Sequence, residues 1–422
     1  MSVGGAVVVV VGAGYEGKRR IHARMAALDA RLVIVDEPGH WSQSLVDEGI
    51  AAAWLAAPIV GDADRDAQAV LDALAAAGAT PDGVLTFWEN SIDVCARVAA
   101  ALGLPGNPVE AVDAARSKVR TRELSAALGL PTPRARRVRS LDELFAAAPD
   151  VGFPAVVKPE FGASAMGCVR VDAFEELPGI YSLVRGVVTP EHDGIFRTGN
   201  DLLVEEYLDG VEFDVDLVMH RGDCVFSSVS QNWPTAEPSF QEAGLHCPPD
   251  HDRKAVGRVV DLCVSTAQAF GLHRGVLHIE AKSTSRGPRI VEVNARMGGG
   301  RVSEYVRQVW NVDLIEAHLR ESLDLPPALT PSRKPQCTVV NGLLYAPASG
   351  RLAAVGVDES PPRGGATVAV DLEAEVGDAV DGPEAVFATL LAEVHVTAKD
   401  LKRARAELAG VLREPPRVDP VG

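Results

Sequence analysis

Short apolar runs alternate with longer alanine-rich segments over residues 1–110. Apolar runs bounded by turn residues are typical of buried strands, and the segments between them carry the spacing of helices. The predicted strands are residues 6–11, 31–35 and 83–87, and the predicted helices are residues 15–28, 66–77 and 91–102. This alternation predicts a parallel sheet with helices on both faces.

A second module begins near residue 111, where the pattern changes. Residues 111–130 read as a single helix, closed by glycine and two prolines at residues 129–133. Such an ending predicts a helix stop followed by an extended segment. The module continues to about residue 325, since prolines cluster at residues 326–335 and predict a linker.

The remainder of the chain predicts a small third unit of strands and one closing helix. Its predicted strands are residues 338–344 and 366–371, and its helix is residues 398–412. We therefore expect mixed α/β and α+β structure in three domains. Their predicted limits are 1–110, 111–330 with a division near 200, and 331–422.

Composition narrows the class of protein. The chain has 422 residues, of which 47% are hydrophobic and 23% charged, so a disordered or fibrous protein is excluded. The net charge of −17 argues against nucleic-acid binding through a broad basic surface. The six cysteines form no C-x-x-C pair, and no apolar run is long enough to span a bilayer. We expect a cytoplasmic enzyme with no membrane partner.

Residues 12–17 match G-x-G-x-x-G, and Asp36 follows at the distance typical of a dinucleotide site. The alternative is that the glycines only allow a tight turn from strand to helix. The motifs further along the chain favour this second interpretation.

Phosphate binding is predicted at Lys158 and the loop after it. Lys158 ends an apolar strand, and residues 162–167, which include Gly162, Ser164 and Gly167, form a small-residue loop. Glycine lets backbone N–H groups approach phosphate oxygens, and lysine supplies a mobile charge. Strand, lysine and loop together predict a clamp over a triphosphate.

Residues 202–212 predict an adenine pocket, because an apolar strand there turns polar at a glycine. The edge of such a strand offers backbone groups to the base, and a carboxylate beyond it accepts hydrogen bonds from ribose.

The strongest pattern is a predicted hairpin of residues 275–282 and 288–294. Alternation places His278, Glu280 and Lys282 on one face of the first strand, and Glu292 and Asn294 on one face of the second. Glu280, Glu292 and Asn294 can then converge as oxygen ligands, which suits Mg²⁺ bound to a nucleotide. The alternative is a hairpin with a solvated acidic face.

The segment directly after this hairpin contains Arg296 and three consecutive glycines. Arg296 can bind a carboxylate or a phosphoryl group in bidentate fashion. Gly298 to Gly300 precede a helix predicted from about Ser303, and their N–H groups suit an oxyanion.

The order of these motifs resembles the ATP-grasp superfamily, and within it the carboxylate–amine ligases. The resemblance implies a Rossmann-like N-terminal domain, a central ATP-grasp domain and a small C-terminal domain. It implies ATP and two Mg²⁺ ions, which Mn²⁺ can replace, as cofactors. By this resemblance Lys118 and Lys158 contact phosphates, and Glu280, Glu292 and Asn294 hold the metals. Glu205, Glu206 and Leu208 would lie along the adenine, and Glu212 would hold the ribose.

Residues 294–300, with Glu242 and His246, are most similar to L-amino acid ligases and carnosine-synthase-like enzymes. The implied reaction joins a carboxylate, an amino acid, to an amine through an acyl phosphate. The implied catalytic residues are Arg296, Gly298, Glu242 and His246, and the implied assembly is a homodimer that acts on small molecules. The alternatives are an ATP-grasp carboxylase or purine-pathway ligase, an NAD-dependent oxidoreductase, and a non-catalytic nucleotide-binding protein.

Overall fold

The computed structural model of the protein describes residues 3–358, 362, 365–383, 385 and 387–420. None of the helices described there is long and apolar enough to cross a membrane.

A parallel sheet forms the N-terminal region, as predicted. Its strands run in the order β3-β2-β1-β4, and every pair is parallel. Side chains from both faces of β1 are buried, since Val8 and Val10 belong to one core and Val9 and Val11 to another. The elements are β1 (Val7–Val11), α1 (Arg19–Ala27), β2 (Arg31–Asp36), α2 (Ser44–Asp47), β3 (Ala53–Ala56), α3 (Ala63–Ala76), β4 (Gly83–Leu85) and α4 (Ile92–Ala101).

The helix predicted over residues 111–130 is wrong in one respect, because the structure has two helices there, α5 (Val109–Arg116) and α6 (Lys118–Ala127). Ser117 between them has an extended backbone, and its hydroxyl accepts a hydrogen bond from the N–H of Arg120 at 3.1 Å. A serine in this conformation caps the second helix. Lys118 therefore stands at a helix start and not within a helix.

A small antiparallel sheet follows, with strand order β5-β8-β6-β7. Its elements are β5 (Ala135–Val138), α7 (Leu141–Val151), β6 (Ala155–Pro159), β7 (Val169–Val171), α8 (Leu177–Val187) and β8 (Leu202–Glu206). Strand β8 is paired on both sides, with β5 and with β6.

A large antiparallel sheet carries the predicted hairpin. The elements are β9 (Val211–His220), β10 (Asp223–Asn232), β11 (Gly244–Cys247), α9 (Arg253–Phe270), β12 (Gly275–Thr284), β13 (Gly287–Asn294), α10 (Val302–Trp310) and α11 (Leu314–Ser322). Helix α9 packs on this sheet through residues such as Val259 and Cys263, which are fully buried.

The same sheet continues into the C-terminal region. Its strand order is β13-β12-β9-β10-β11-β14-β18-β16. The central and C-terminal regions therefore share one eight-stranded sheet. The elements are β14 (Thr338–Tyr345), β15 (Gly350–Ala354), β16 (Thr367–Leu372), β17 (Ala379–Val380), β18 (Leu390–Ala398), α12 (Leu401–Val411) and β19 (Arg417–Asp419). The proposed division at residue 330 stays a prediction, and residues from beyond it, Asn341, Leu343 and Glu393, line a cavity that the central region also forms.

Candidate functional site

The hairpin of β12 and β13 sets two carboxylates face to face. Glu280 lies directly opposite Glu292, and His278 lies opposite Asn294. Burial, followed by the nearby Glu292 and Asp214 carboxylates, raises the pKa of Glu280 well above its usual value. Crowded carboxylates of this kind gain from a shared cation.

These side chains fit a nucleotide-bound magnesium ion. Mg²⁺ in such sites usually takes one or two carboxylates and completes its shell with phosphate and water. The hairpin offers two carboxylates and the amide of Asn294. Within the described part of the chain, no group of three or more His, Cys, Asp or Glu side chains could hold a metal by itself. Two carboxylates and one amide oxygen leave positions in the metal shell that nucleotide phosphates and water can fill.

The first of two neighbouring cavities, the loop cavity, lies under residues 162–166 and has an empty volume of about 970 Å³. Lys118 and Lys158 line it together with Glu280 and Glu292. The Nζ of Lys118 donates to the carbonyl of Gly162 at 2.9 Å and lies 3.1 Å from Glu292 Oε1. Ser164 also lines the cavity and has a left-handed backbone, with φ of 52°. Gly167 does not line it and instead packs against Pro159.

Glu205 is held in a buried ion-pair network in the wall of the loop cavity. Its carboxylate lies 2.5 Å from Lys158 Nζ and accepts a hydrogen bond from Arg122 Nε at 2.8 Å. Burial opposes the charged form, but Arg122 and Lys158 outweigh it and lower the pKa of Glu205 to about 2. Arg122 was not predicted, and no motif in the sequence distinguishes it from other helical arginines.

The remaining predicted nucleotide residues also line the loop cavity, namely Glu206, Leu208 and Glu212. Glu206 forms an ion pair with Arg286 at 2.8 Å. Lys282 Nζ links the other two, since it lies 3.4 Å from both the Leu208 carbonyl and Glu212 Oε2. The structure thus brings these side chains together, and their contacts with adenine and ribose stay predictions.

The second cavity, the polar cavity, meets the first at Glu280 and Glu292 and has an empty volume of about 940 Å³. Its walls include Asn294, Arg296, Gly299 and Gly300. Arg296 Nε donates to Glu89 Oε2 at 2.5 Å. Glu89 comes from the region just after β4 and was not predicted, although polar residues after a parallel strand are a known signal for a site.

Gly298 has a packing role beside this cavity. A Cβ at this position would lie 2.8 Å from Nδ1 of His278, so only glycine allows the approach. The ring of His278 in turn contacts Asp216 Oδ1 at 3.0 Å. Burial opposes protonation, but Asp216 outweighs it and raises the pKa of His278 to about 9.

Glu242 lines both cavities, whereas His246 lines neither. Desolvation by the surrounding protein, and then the Asp214 and Glu212 carboxylates, raise the pKa of Glu242 to about 7. Its side chain is nevertheless accessible to solvent inside the cavity. His246 is fully buried and accepts a hydrogen bond from Trp233 Nε1 at 3.0 Å. The position of His246 gives no support to its predicted catalytic role.

The N-terminal glycines make room for protein side chains. A Cβ on Gly12 would lie 2.2 Å from Ser91 Oγ, and one on Gly14 would lie 2.6 Å from Lys18 Cδ. Asp36 accepts the N–H of Ala13 at 2.7 Å, so it closes the turn itself. These contacts favour the structural interpretation of the G-x-G-x-x-G motif over the dinucleotide one.

Gly12→Ala is expected to destabilise the protein by about 1–3 kcal/mol, because the new methyl group meets Ser91 at a left-handed φ of 69°. Gly39→Ala is the matched control, since Gly39 has a similar φ of 82° but no atom within 4 Å. Urea unfolding of both variants measures the difference. Equal losses would show that backbone strain alone requires the glycine.

Two family models match the chain. An ATP-grasp domain model matches residues 151–304, which hold the loop, β8 and the hairpin, and an ATP-grasp N-terminal domain model matches residues 24–106. The chain contains an ATP-grasp domain. The superfamily resemblance and the predicted fold class are confirmed.

Known proteins similar to this ATP-grasp chain include ligases. Carnosine synthase 1 of Gallus gallus is 32% identical over 379 residues, which cover 84% of this chain and 39% of that protein. The L-arginine-specific L-amino acid ligase of Bacillus subtilis is 25% identical, with 59% of each chain covered. The chain spans 39–40% of the length of the three carnosine synthases it matches.

Solved structures show the same architecture. The L-amino acid ligase from Bacillus licheniformis superposes with a TM-score of 0.82 at 20% identity, over 99% of both chains. At this level of identity the match shows that the two chains share a fold over 99% of this chain.

Proposed function

We propose that this chain is an ATP-dependent ligase that joins the carboxylate of one amino acid to the amine of another through an acyl phosphate. One observation carries the proposal, namely that the loop cavity and the polar cavity meet at Glu280 and Glu292. A nucleotide in the first cavity would then present its γ-phosphate to a substrate in the second. The similarity to carnosine synthases and amino acid ligases supports the same reaction.

The loop cavity is the proposed ATP site. Lys118 and Lys158 line it together with residues 162–166, so two lysines and the small-residue loop border one space. Glu280, Glu292 and Asn294 would hold two Mg²⁺ ions, or Mn²⁺ in their place. Bound in this way, the metal supplies charge neutralisation for phosphoryl transfer.

The polar cavity is the proposed substrate site. The carboxylate of the substrate attacks the γ-phosphoryl group and releases ADP, and the amine then displaces phosphate to form the amide. Arg296 and the N–H groups of residues 299 and 300 would hold the oxygen atoms of the carboxylate. Glu242, whose pKa is raised to about 7, is suited to accept the proton that the amine loses.

Release of ADP and phosphate from MgATP, screened over pairs of amino acids, tests this function. We expect release that requires both amino acids, together with a product whose mass equals their sum less one water. Omission of magnesium or of either amino acid is the control. Release that depends on bicarbonate or on a ribonucleotide would instead indicate a carboxylase or a purine-type ligase.

Three further parts of this proposal concern the substrates, the assembly and the location of the enzyme. We propose small-molecule substrates, a homodimeric assembly and a cytoplasmic location. Sedimentation of the purified chain measures its assembly.

Tight binding of NAD(P)H without binding of MgATP would favour an oxidoreductase, which the packing around Gly12 and Gly14 argues against.

A further inference from the structure

The cations that line the polar cavity are already neutralised by protein carboxylates. Each of them lies within ion-pair distance of an acidic side chain from another element. The pairs are Arg296 with Glu89 at 2.5 Å, Arg301 with Asp371 at 2.6 Å, and His278 with Asp216 at 3.0 Å. Each cation in the cavity wall therefore has one carboxylate partner from the protein, and Arg296 would share its charge between Glu89 and a substrate carboxylate.

Glu393 in the same wall lacks such a partner. It lies on β18, and its side chain is 24% exposed. Among the residues that the structure describes, the only ion-pair contact of Glu393 is with Nε2 of His395, at 3.7 Å. Burial lowers the pKa of His395 to about 4, so the ring is neutral near pH 7 and gives Glu393 no charged partner. Burial, and then the Glu373 and Asp371 carboxylates, raise the pKa of Glu393, and the more distant Arg20 and Arg301 offset this only in part.

Glu393 lies close to the glycine segment of the polar cavity that is proposed to bind the substrate carboxylate. A Cβ built on Gly300 would lie 3.7 Å from Glu393 Oε2, so the carboxylate stands beside the glycine segment that follows Arg296. Glu393 pairs with Leu343 of β14, which also lines the polar cavity. A substrate bound at Arg296 and Gly300 would therefore extend toward Glu393.

Asn341 adds a second acceptor to the same wall. It lies two residues before Leu343 on β14, so its side chain is on the same face, and it is 5% exposed. Its Nδ2 is 3.1 Å from His395 Nδ1. No hydrogen bond to its amide oxygen occurs within the described ranges. An amide oxygen in a cavity wall can accept a hydrogen bond from a ligand.

We propose that Glu393 is a specificity-determining residue that binds an ammonium group of the substrate, with Asn341 as a second acceptor. The proposal rests on the proposed function, because it takes the polar cavity as the substrate site. An ammonium group has three donors and one positive charge, which match a carboxylate and an amide oxygen. The group is either the α-ammonium of an amino acid or an ammonium at the far end of its side chain.

Four ligands of equal chain length separate these sources. L-lysine carries both ammonium groups, L-norleucine only the α-ammonium, 6-aminohexanoate only the distal one, and hexanoate neither. Calorimetry measures their binding to the full chain with magnesium and a non-hydrolysable ATP analogue. In Glu393→Gln we expect at least tenfold weaker binding of ligands that present the recognised ammonium group, and unchanged binding of hexanoate.

The ligands that lose affinity in Glu393→Gln show which ammonium group the site recognises. A loss for norleucine identifies the α-ammonium, and a loss for 6-aminohexanoate identifies the distal one. Glu375→Gln is the control, since this exposed glutamate belongs to the same C-terminal region and lines neither cavity. The affinity for the ATP analogue must stay unchanged in both variants, which shows that Glu393→Gln still folds.

Several results would overturn the inference. They are unchanged binding of all four ligands in Glu393→Gln, an equal loss for hexanoate, and a failure of all four ligands to bind the wild-type protein. ADP release is measured in parallel. If lysine binds in a Glu393-dependent way while no amino acid pair releases ADP, the proposed ligase function fails and the ammonium site stands.

Discussion

Glutamine in place of Glu292 is expected to lower kcat/KM for ADP formation about a thousandfold. The substitution keeps the shape of the side chain but removes one of the two carboxylates that face each other across the hairpin. Loss of a metal-binding charge costs several kcal/mol of transition-state stabilisation, and about 4 kcal/mol corresponds to a thousandfold. The ion pair between Glu292 and Lys118 is lost as well.

ADP release and magnesium-dependent binding of a non-hydrolysable ATP analogue measure this effect. Glu123→Gln is the matched control, because Glu123 is an exposed glutamate on α6. Circular dichroism verifies that both variants fold. Turnover of Glu292→Gln within tenfold of the wild type would remove the hairpin from the proposed metal site.

Methionine in place of Arg122 is expected to lower the free energy of unfolding by about 3 kcal/mol. Arg122 and Lys158 both contact the buried carboxylate of Glu205, and removal of one partner leaves that charge partly uncompensated. Methionine fills much of the same volume, so the loss reports on the ion pair together with the hydrogen bond from Arg122 Nη2 to the Val291 carbonyl at 2.6 Å. Lys158 remains as a partner, which keeps the effect near the lower end for a broken buried pair.

The pH dependence of stability tests the same network. The pKa of Glu205 is lowered from 4.5 to about 2 by folding, so its contribution is present above about pH 4.5 and is lost as the pH falls toward 2. In Arg122→Met this part of the acid dependence should shrink. Urea unfolding at pH 7 and at about pH 3 measures both the loss and its pH dependence.

Arg134→Met is the control for the Arg122 variant. The Arg134 side chain is 61% exposed and lies 3.5 Å from Glu206, so its ion pair is screened by solvent. We expect a change below about 1 kcal/mol. Equal losses in the two variants would contradict a special role for the buried pair.

The hairpin was predictable because its evidence is local. Alternation along residues 275–294 fixes which side chains share a face, and the turn between the strands brings the two faces together. The observed register, with Glu280 opposite Glu292, agrees with that prediction. The split between α5 and α6 was not predicted, because one extended serine interrupts a pattern that otherwise continues as helix.

The ion-pair partners of the predicted residues could not be predicted, because they lie far away in the sequence. Glu89 reaches Arg296 across 207 positions of the chain, and Arg122 reaches Glu205 across 83. Glu393 joins the cavity wall only because β18 extends the central sheet. For His246 the sequence pattern predicted a catalytic role. In the structure the residue is buried, its ring is hydrogen-bonded to Trp233, and it lines neither cavity.

By itself the sequence determined the hairpin, and the resemblance of its motifs to a known family implied the ATP-grasp architecture and many of the residues that line the loop cavity. Short-range periodicity and glycine placement specify strands, turns and faces, and these properties are readable along one chain. Tertiary structure alone decided which charges are neutralised and which are left for a ligand. That balance depends on distances between elements far apart in sequence, so it exists only once the sheets have come together.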